Sequence, residues 1–361
     1  MSRCEGNETT LMLALAYAKT KRASWDPFLP LKMYRSDIAT RLSVDIQVAG
    51  ADDIQGAVAQ VTAIQPEILL IAPTWDIGCE EVKRLIEASR AAGSIKKTIF
   101  LDTCDATSTP FLPLLADVDL FVKPYLFRDT SLYLRQYAGG YIFTDFLVRQ
   151  LGWDIHDWYF GSCAEKEQLG KLRVGWSYGV SRRYRALANF TSLLPLPWAL
   201  RTTDVNRRFC PVERGVRQWF ERYRDMASTS VERLGNQVRI SGYRRVGYER
   251  YLLELMTSKI ALSPFGWGEI CFRDYEIVAC GALLIKPDMT HVRVRSDIFQ
   301  ANETYVPIKW DFSNLAEKID HYLSHPDEAK RIAVAGRRCL LKYFKQDQFL
   351  EDFKDLMDWP R

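Results

Sequence analysis

The stretch that decides the fold runs from residue 263 to 288 and reads SPFGWGEICFRDYEIVACGALLIKPD. It continues the apolar run "IALSP", which is typical of a buried strand. Two glycines then flank Trp267, and the residues from about Phe272 to Cys280 have the pattern of a helix that ends at a glycine. The apolar run "ALLIKPD" predicts another strand. A strand, a glycine loop, a helix and a second strand make up a parallel β–α–β unit.

The rest of the chain repeats this alternation. In the first half, strands are predicted at TLMLALAY, VDIQVAG, EILLIAPT, KTIFLDT and DVDLFVKP, and helices at LPLKMYRSDIATRL, DDIQGAVAQVTAI and CEEVKRLIEASRAAG. In the second half, strands are predicted at KLRVGWSYG, NQVRISGY and TYVPIKW, and helices at VERGVRQWFERYRDMA, YERYLLELMTSK, NLAEKIDHYLSH and PDEAKRIAVAGRRCLLKYF. Apolar strands between amphipathic helices indicate parallel sheets with helices on both faces.

We therefore predict an α/β fold of two Rossmann-like, doubly wound domains that face a central cleft. The first is placed at residues 1–168 and the second at residues 169–344. The length of 361 residues supports two domains, because it exceeds what one hydrophobic core usually serves.

Composition excludes several classes of protein. The chain is 47% hydrophobic and 26% charged, as in an ordinary globular protein, and its net charge of +4 is too small to indicate a nucleic-acid partner. None of the eight cysteines forms a C-x-x-C pair, which argues against a zinc site and favours free thiols in the cytoplasm. The apolar run near the start is too short to cross a membrane and follows acidic residues, unlike a signal peptide.

The opening stretch also predicts an anion site. A glycine loop that leads into a helix directs backbone N–H groups and the helix N-terminus at an anion, and Gly266 and Gly268 would let a phosphate come close. Arg273 lies in the first helical turn, where a guanidinium can bind the same phosphate. Glu276 follows one turn later, and a carboxylate can accept hydrogen bonds from two ribose hydroxyls. Phosphate and ribose contacts along one helix indicate a nucleotide site.

This arrangement resembles the donor site of GT-B glycosyltransferases. "YEIVACGALLIKPD" resembles the E-A-x-A-x-G-x-P-V-V segment of that fold, and "SPFGWGEICFRDYE" is similar to the P-x-G-x-G…R-x-x-E pattern of the exostosin-like branch and related bacterial polysaccharide enzymes. The segment "NETYVPIKWDFSNLAEKIDHYLSHPDEAKRIAVAG" resembles the end of such domains. The resemblance covers residues from about 242 to 344. The first domain resembles the family only in its alternation of strands and helices.

The resemblance implies a transferase that moves a sugar from a nucleoside diphosphate sugar to a saccharide, a lipid-linked acceptor or another hydroxyl group, in the synthesis of a surface polysaccharide or glycoconjugate. It would need no cofactor beyond the donor, and it would work in the cytoplasm or peripherally at the inner face of the membrane. The resemblance also implies that the tail, residues 345–361, forms a helix that crosses back to the first domain. Phe349, Phe353 and Leu356 would form its apolar stripe.

The candidate donor-binding residues are Arg244, Arg245, Ser263, Gly266, Trp267, Gly268, Glu269, Arg273 and Glu276, and His291 is a candidate for the donor sugar. Many retaining members carry two glutamates with seven residues between them, whereas Glu269 and Glu276 have six. The role of Glu269 and the stereochemistry of transfer therefore stay open. Each of these residues also has a purely structural interpretation: Glu276 could be a solvated surface residue, Arg273 could only stabilise the fold, and Trp267 could only pack.

The candidate catalytic residues follow predicted strands of the first domain, because ligands of doubly wound sheets bind at the carboxyl ends of strands. They are Asp76, Asp102 and Asp105, and Asp102 is the first choice for the base that takes the acceptor's proton. The alternative is a turn or helix-capping aspartate. Lys123 and Arg128, after the next strand, would suit an acidic acceptor.

Asp117 and Asp119 match the D-x-D motif that binds manganese in the other glycosyltransferase fold, GT-A. Here the motif opens a strand instead of closing one, so we interpret it as a surface loop and expect no metal. Two other functions stay open: a nucleotide-sugar epimerase or hydrolase on the same fold, and a binding or scaffold protein without turnover.

Overall fold

The computed structural model describes residues 9–18, 25–176, 182–193, 195–209, 218–295, 298–345 and 348–358. The strands are β1 (Thr10–Tyr17), β2 (Val44–Ala51), β3 (Ile68–Pro73), β4 (Lys97–Leu101), β5 (Leu120–Lys123), β6 (Leu126–Phe127), β7 (Leu172–Val174), β8 (Thr203–Asn206), β9 (Ser258–Leu262), β10 (Leu283–Pro287), β11 (Val292–Arg293) and β12 (Val306–Ile308).

The α-helices are α1 (Leu29–Met33), α2 (Arg35–Leu42), α3 (Ile54–Ile64), α4 (Cys79–Ala92), α5 (Ile142–Leu151), α6 (Arg182–Leu193), α7 (Trp219–Glu232), α8 (Tyr248–Met256), α9 (Phe272–Cys280), α10 (Leu315–Ser324), α11 (Pro326–Lys345) and α12 (Gln348–Met357). The predicted helix over VERGVRQWFERYRDMA begins in residues that lie outside the described part of the chain; within that part, α7 covers its second half.

The first sheet is parallel and has the strand order β2-β1-β3-β4-β5-β7. Alternate residues of β1 enter two different hydrophobic clusters, Leu13 and Leu15 on one face and Met12 and Ala14 on the other. Helices α3 and α4 cover the first face, and α1 and α2 cover the second. This burial on both faces explains why the strands of this sheet are almost continuously apolar, and it confirms the doubly wound prediction.

The second sheet is parallel and has the order β12-β10-β9-β8. Its predicted helix from Phe272 to Cys280 is confirmed as α9. The prediction of a strand over NQVRISGY is wrong, since Ile240 makes only an isolated bridge to Val205. The edge strand beside β9 is instead β8, which lies earlier in the chain. Its polar sequence TDVN lacks the apolar pattern on which the strand predictions relied.

The boundary predicted between residues 168 and 169 is placed too early. Strand β7 lies beyond it, yet β7 pairs with β5 and completes the first sheet. Helix α5 lies before it but packs on the second domain: the Phe143 ring lies 4.5 Å from Tyr223 and 5.0 Å from Phe265. The chain therefore touches the second domain before it finishes the first sheet, and no single cut separates the two cores.

A small antiparallel pair joins the domains. Strand β6 follows β5 of the first sheet in the chain, and it pairs with β11 of the second domain. The contact continues through Arg128, whose backbone N–H donates to the His291 carbonyl at 2.8 Å and whose side chain donates to the carbonyls of Thr290 and Val292. The Arg128 side chain therefore helps to join the two domains.

The last helix, α12, packs on the first domain. Phe349, Phe353 and Leu356 are buried in the same cluster as α1 and α2, and the Phe349 ring stacks on Tyr34 at 5.1 Å. The buried Lys97 side chain donates to the Leu356 carbonyl at 3.2 Å, which satisfies a carbonyl of the last helical turn.

Two further findings bear on the sequence predictions. No helix in the described ranges is both long and apolar enough to span a bilayer. All six cysteines of the described residues are free thiols.

Phe349→Ala tests the packing of α12. Replacing a buried phenylalanine by alanine leaves a cavity, so we expect the free energy of unfolding to fall by about 3–5 kcal/mol. Lys354→Ala, on the exposed face of the same helix, should change it by less than about 0.5 kcal/mol. Denaturant titration followed by circular dichroism measures both. Equal effects of the two changes would show that the stripe does not hold the helix.

Candidate donor-nucleotide site and domain cleft

The glycine loop of the second domain lies directly against the first domain. A Cβ placed on Gly268 would come within 1.5 Å of the carbonyl oxygen of Asp105, so only glycine fits there. Asp105 follows β4, and the loop follows β9, so this contact brings together the carboxyl ends of the two sheets. The neighbour that requires glycine at position 268 is the first domain's backbone, and the predicted phosphate contact of Gly268 stays a prediction.

Glu269, the next residue, is completely buried in the same junction. Its Oε2 accepts a hydrogen bond from the backbone N–H of Thr107 at 2.9 Å, and its Oε1 accepts one from the Thr107 hydroxyl. Burial by itself raises the pKa of Glu269, but the ion pair with His291 and the Thr107 hydrogen bonds outweigh it and hold the pKa below its usual range. This carboxylate holds the domains together, and the prediction that it contacts the donor nucleotide is wrong.

His291 belongs to the same junction. Its Nε2 lies 3.6 Å from Glu269 Oε1, its ring packs edge-on against Trp310 at 5.1 Å, and only 14% of its side chain is exposed. The ring is thus held between the two domains. A contact with the donor sugar, as predicted, would have to use that small exposed edge.

The first turn of α9 is fixed by a buried ion pair. Lys286, on β10, and Asp274, on α9, are both completely buried, and Lys286 Nζ lies 3.1 Å from Asp274 Oδ2. The Ser263 hydroxyl donates to Asp274 Oδ1 at 2.5 Å and accepts from Arg273 Nε at 3.1 Å. Ser263 is therefore inaccessible to a phosphate, contrary to the prediction, and it orients Arg273 instead. Arg273 is also fixed by a hydrogen bond to the Pro264 carbonyl, with other N–H donors of its guanidinium left over.

Beside this turn lies an open pocket of about 290 Å³, which we call the arginine pocket. Its lining carries five arginines and one carboxylate, that of Glu276. The lining residues are Arg208, Phe209, Arg224, Tyr243, Arg244, Arg245, Val246, Tyr248, Tyr251, Arg273 and Glu276. The structure therefore brings together the predicted Arg244, Arg245, Arg273 and Glu276.

Gly266 lies against this pocket. A Cβ on Gly266 would come within 2.5 Å of Arg224 Nη2. The glycine loop thus touches Arg224 of the arginine pocket at Gly266 and the first domain at Gly268. This short loop therefore connects the arginine pocket with the Asp105 backbone.

Glu276 is 7% exposed and faces the arginine pocket from α9. Its Oε1 accepts from the Tyr248 hydroxyl at 3.1 Å and from Arg183 Nη2 at 3.3 Å. The Tyr251 side chain, which also lines the pocket, hydrogen-bonds the same carboxylate. A rigidly held carboxylate can accept hydrogen bonds from vicinal hydroxyls.

Asp102, the first choice for a catalytic base, is wrongly predicted. It is completely buried, its Oδ2 lies 3.0 Å from Lys123 Nζ, and its Oδ1 accepts from the Cys104 backbone N–H at 2.8 Å. Lys123 also donates to the Cys104 carbonyl at 3.0 Å. An acceptor hydroxyl cannot reach Asp102, and Lys123, equally buried, cannot bind an acidic acceptor.

Asp105 and Asp76 are the remaining candidates, and both side chains are exposed. Asp105 reaches solvent from the base of the domain junction, where the surrounding protein raises the pKa of its carboxyl to about 6; the Lys123 ammonium opposes this rise and the Asp102 carboxylate adds to it. Within the described residues, no donor forms a hydrogen bond with the Asp105 carboxylate. A carboxyl that titrates near neutral pH suits a general base.

The Asp117–Asp119 motif is used structurally. Asp119 Oδ2 accepts from the Thr98 backbone N–H at 2.7 Å and lies 3.7 Å from Arg90. Asp117 lies 4.0 Å from Lys83. The described residues contain no group of three or more His, Cys, Asp or Glu side chains arranged to hold a metal ion.

Sequence reasoning missed Arg208, Arg224 and Tyr248. Arg208 follows the unpredicted strand β8, and its side chain forms a salt bridge of 2.5 Å with Glu254. Arg224 and Tyr248 lie on predicted helices, but nothing in the spacing showed that they face one pocket. The recognisable signal was the abundance of arginine from Arg207 to Arg250, which the net charge of the whole chain conceals.

The comparisons with known proteins agree with this geometry. Residues 211–355 match the family model described as glycosyl transferase-like, which covers less than half of the chain. No curated protein sequence matches the chain. The matched range contains the glycine loop, α9 and most of the arginine pocket.

Two solved structures share the fold over nearly the whole chain. The glycosyltransferase from Rickettsia africae ESF-5 is 11% identical, with a TM-score of 0.53, and the match covers 97% of this chain and 98% of that one. The sucrose-phosphate synthase from Thermosynechococcus elongatus is 10% identical, with a TM-score of 0.50 and coverage of 97% and 98%. The two-domain GT-B fold and the resemblance to glycosyltransferases are thereby confirmed; placement in the exostosin-like branch stays a prediction.

Glu269→Ala tests the domain junction. It leaves the buried Thr107 and His291 groups without their acceptor, so we expect the free energy of unfolding to fall by about 3–5 kcal/mol at pH 7. The folded-state pKa of Glu269 is depressed, so its contribution is complete above the ordinary glutamate pKa and is lost as the pH falls towards the folded-state value. The difference in free energy of unfolding between wild type and Glu269→Ala should therefore become smaller in acid.

Glu87→Ala, an exposed position on α4, is the control and should change the free energy by less than about 0.5 kcal/mol. Denaturant titrations of the three proteins between pH 7 and pH 3 give the comparison. If the difference in free energy of unfolding between wild type and Glu269→Ala did not change with pH, the Glu269 charge would not stabilise the junction.

Proposed function

We propose that this protein is a glycosyltransferase that moves a sugar from a nucleoside diphosphate sugar to a hydroxyl acceptor. The observation that carries this proposal is the arginine pocket: five arginines and Glu276 surround an open cavity beside the first turns of α9. The family match over residues 211–355 and the fold support it.

The charges of the pocket fit a nucleoside diphosphate. Arg244, Arg245 and Arg273 would neutralise the diphosphate, with the N-terminus of α9 behind them. Glu276, which faces the pocket and is held by Tyr248 and Arg183, would accept hydrogen bonds from the ribose hydroxyls. The donor's sugar, which is attached to the far side of the diphosphate, would then pass the glycine loop towards the domain junction.

Asp105 is the general base of the proposed mechanism. The acceptor oxygen attacks the anomeric carbon, and a new C–O bond forms as the bond from that carbon to the diphosphate oxygen breaks. Asp105 takes the proton of the acceptor hydroxyl, and the nucleoside diphosphate leaves with its charge held by the arginines. Attack on the face opposite the leaving group inverts the anomeric centre.

The arginines would do the work of a metal ion, so we propose a metal-independent reaction with no cofactor besides the donor. We further propose an acceptor that is a saccharide, free or lipid-linked, in the synthesis of a polysaccharide or glycoconjugate. The free thiols of the described cysteines favour work in the reducing cytoplasm or at the inner face of the membrane.

Glu276→Ala tests the donor site. Loss of hydrogen bonds to a charged group should weaken nucleoside diphosphate binding by about 1–3 kcal/mol. Isothermal titration with uridine, guanosine, thymidine and cytidine diphosphates measures the change. Glu249→Ala, an exposed glutamate on neighbouring α8, should bind like wild type. Undiminished binding by Glu276→Ala would refute the ribose contact.

Asp105→Asn tests the base. A carboxyl with a pKa of about 6 is protonated, and therefore inactive as a base, in more acidic solution, so wild-type kcat/KM should fall below about pH 6. The asparagine variant should lose about 10²–10⁴-fold in kcat and keep its affinity for the nucleoside diphosphate. Asp76→Asn, the matched change on the neighbouring loop, should lose much less. The opposite order of the two losses would assign the base to Asp76.

A further inference from the structure

Two tryptophans, one from each domain, meet at the rim of the cleft. The Trp75 and Trp267 rings lie 5.9 Å apart between centroids, at 34° to each other, and the residues are 51% and 36% exposed. We call this pair the aromatic shelf. Single exposed apolar side chains are normal on a protein surface, whereas two indoles exposed side by side form one continuous apolar patch, which is typical of a binding site.

The shelf is rigidly supported on the second-domain side. The Trp267 ring is surrounded by four aromatic rings besides Trp75, and the nearest centroid, that of Phe220, is 5.4 Å away. These neighbours are Trp158, Phe160, Trp219 and Phe220. Trp267 therefore packs, as one sequence alternative held, and it also keeps an exposed surface.

The shelf lies next to the proposed base. Trp75 follows β3 and Asp105 follows β4, and these strands are neighbours in the first sheet. The two loops are tied by the Thr103 hydroxyl, which donates to the Pro73 carbonyl at 2.7 Å. On the other side, Trp267 directly precedes Gly268, which lies on the Asp105 carbonyl.

We propose that the aromatic shelf is the acceptor subsite and that it binds the ring of an uncharged saccharide. This inference rests on the proposed transferase function. One face of a pyranose carries only C–H groups and packs on an indole face, while the hydroxyls around its edge remain free to reach Asp105. The ring lies on the exposed surface of the pair, because the 5.9 Å spacing leaves no room between the indoles.

The charges beside the shelf select against other acceptors. Asp76 and Asp105 are both exposed there, which disfavours an acidic sugar and the apolar chain of a lipid. Of the two cations that the sequence offered for an acidic acceptor, Lys123 is buried against Asp102, and Arg128 is held beside the carbonyls of Thr290 and Val292.

The test measures saccharide binding apart from donor binding. Wild-type protein saturated with a nucleoside diphosphate is applied to an array of immobilised neutral and acidic oligosaccharides, and the affinity for each retained saccharide is then measured in solution. Trp75→Ala is the test variant, Trp75→Phe keeps an aromatic face, and Phe190→Ala removes a similarly exposed ring far along α6. Nucleoside diphosphate binding is measured for all four proteins.

We expect neutral saccharides to be retained, Trp75→Ala to weaken their binding by about tenfold or more, and Trp75→Phe to restore most of it, with Phe190→Ala like wild type. Nucleoside diphosphate binding should be the same in all four. Retention of no saccharide, retention of acidic ones alone, or equal affinity in Trp75→Ala would overturn the subsite while leaving the donor site intact. Failure of every nucleoside diphosphate to bind wild type would instead remove the proposed function.

Discussion

The contact between Gly268 and the Asp105 carbonyl is the constraint on which the rest of the cleft depends. At that point the two backbones lie so close together that any side chain at position 268 would clash with the Asp105 carbonyl. The next residue, Glu269, then binds Thr107 of the same first-domain loop through both carboxylate oxygens. Buried charge in a low-dielectric junction requires a fully bonded geometry, so these bonds fix how the loop after β9 meets the loop after β4. The base, the aromatic shelf and the arginine pocket are all positioned relative to this loop.

The two domains support their halves of the cleft in the same physical way. In each, a lysine at the end of a central strand is completely buried against an aspartate at the neighbouring carboxyl edge: Lys123 with Asp102 in the first, and Lys286 with Asp274 in the second. Removing either partner would leave an uncompensated buried charge, which makes each pair a strong local constraint. One pair supports the loop that carries Asp105, and the other the helical turn that carries Arg273.

The fold followed from the sequence because buried parallel strands have an apolar signature that helices between them do not share. Strand β8 escaped because its sequence, TDVN, is polar: Asp204 forms salt bridges with Arg239 and Lys259 at the edge of its sheet. Strand β7 was assigned to the wrong domain for another reason: the apolar pattern of a strand does not show which sheet the strand joins. The helix after the glycine loop was predictable because its apolar pattern ends at a glycine, and its Arg273 and Glu276 do face one pocket.

The roles of the carboxylates were not predictable, because they depend on burial against residues that the sequence pattern does not identify as neighbours: Lys123 of the same domain for Asp102, and Thr107 across the junction for Glu269. Asp102 and Asp105 are three residues apart, and the sequence favoured Asp102 because it directly ends a strand, yet Asp102 is buried against Lys123 and Asp105 reaches solvent. The same holds for Glu269 and Glu276, since the first closes the junction and the second faces the pocket. Only the pairing partners, which lie far away in the chain, decide between these outcomes.

The charges of the completed cleft are divided between its two sides. The second-domain side carries the five arginines of the pocket, and the first-domain side carries the exposed Asp76 and Asp105 with the shelf between them. Such a field draws an anionic diphosphate to one side and keeps it from the other, because like charges repel where water is partly excluded. A neutral hydroxyl compound experiences no such repulsion on the aspartate side. On the proposed function, the polarity of the cleft would therefore order the two substrates, with the charged donor on the arginines and the uncharged acceptor beside Asp105.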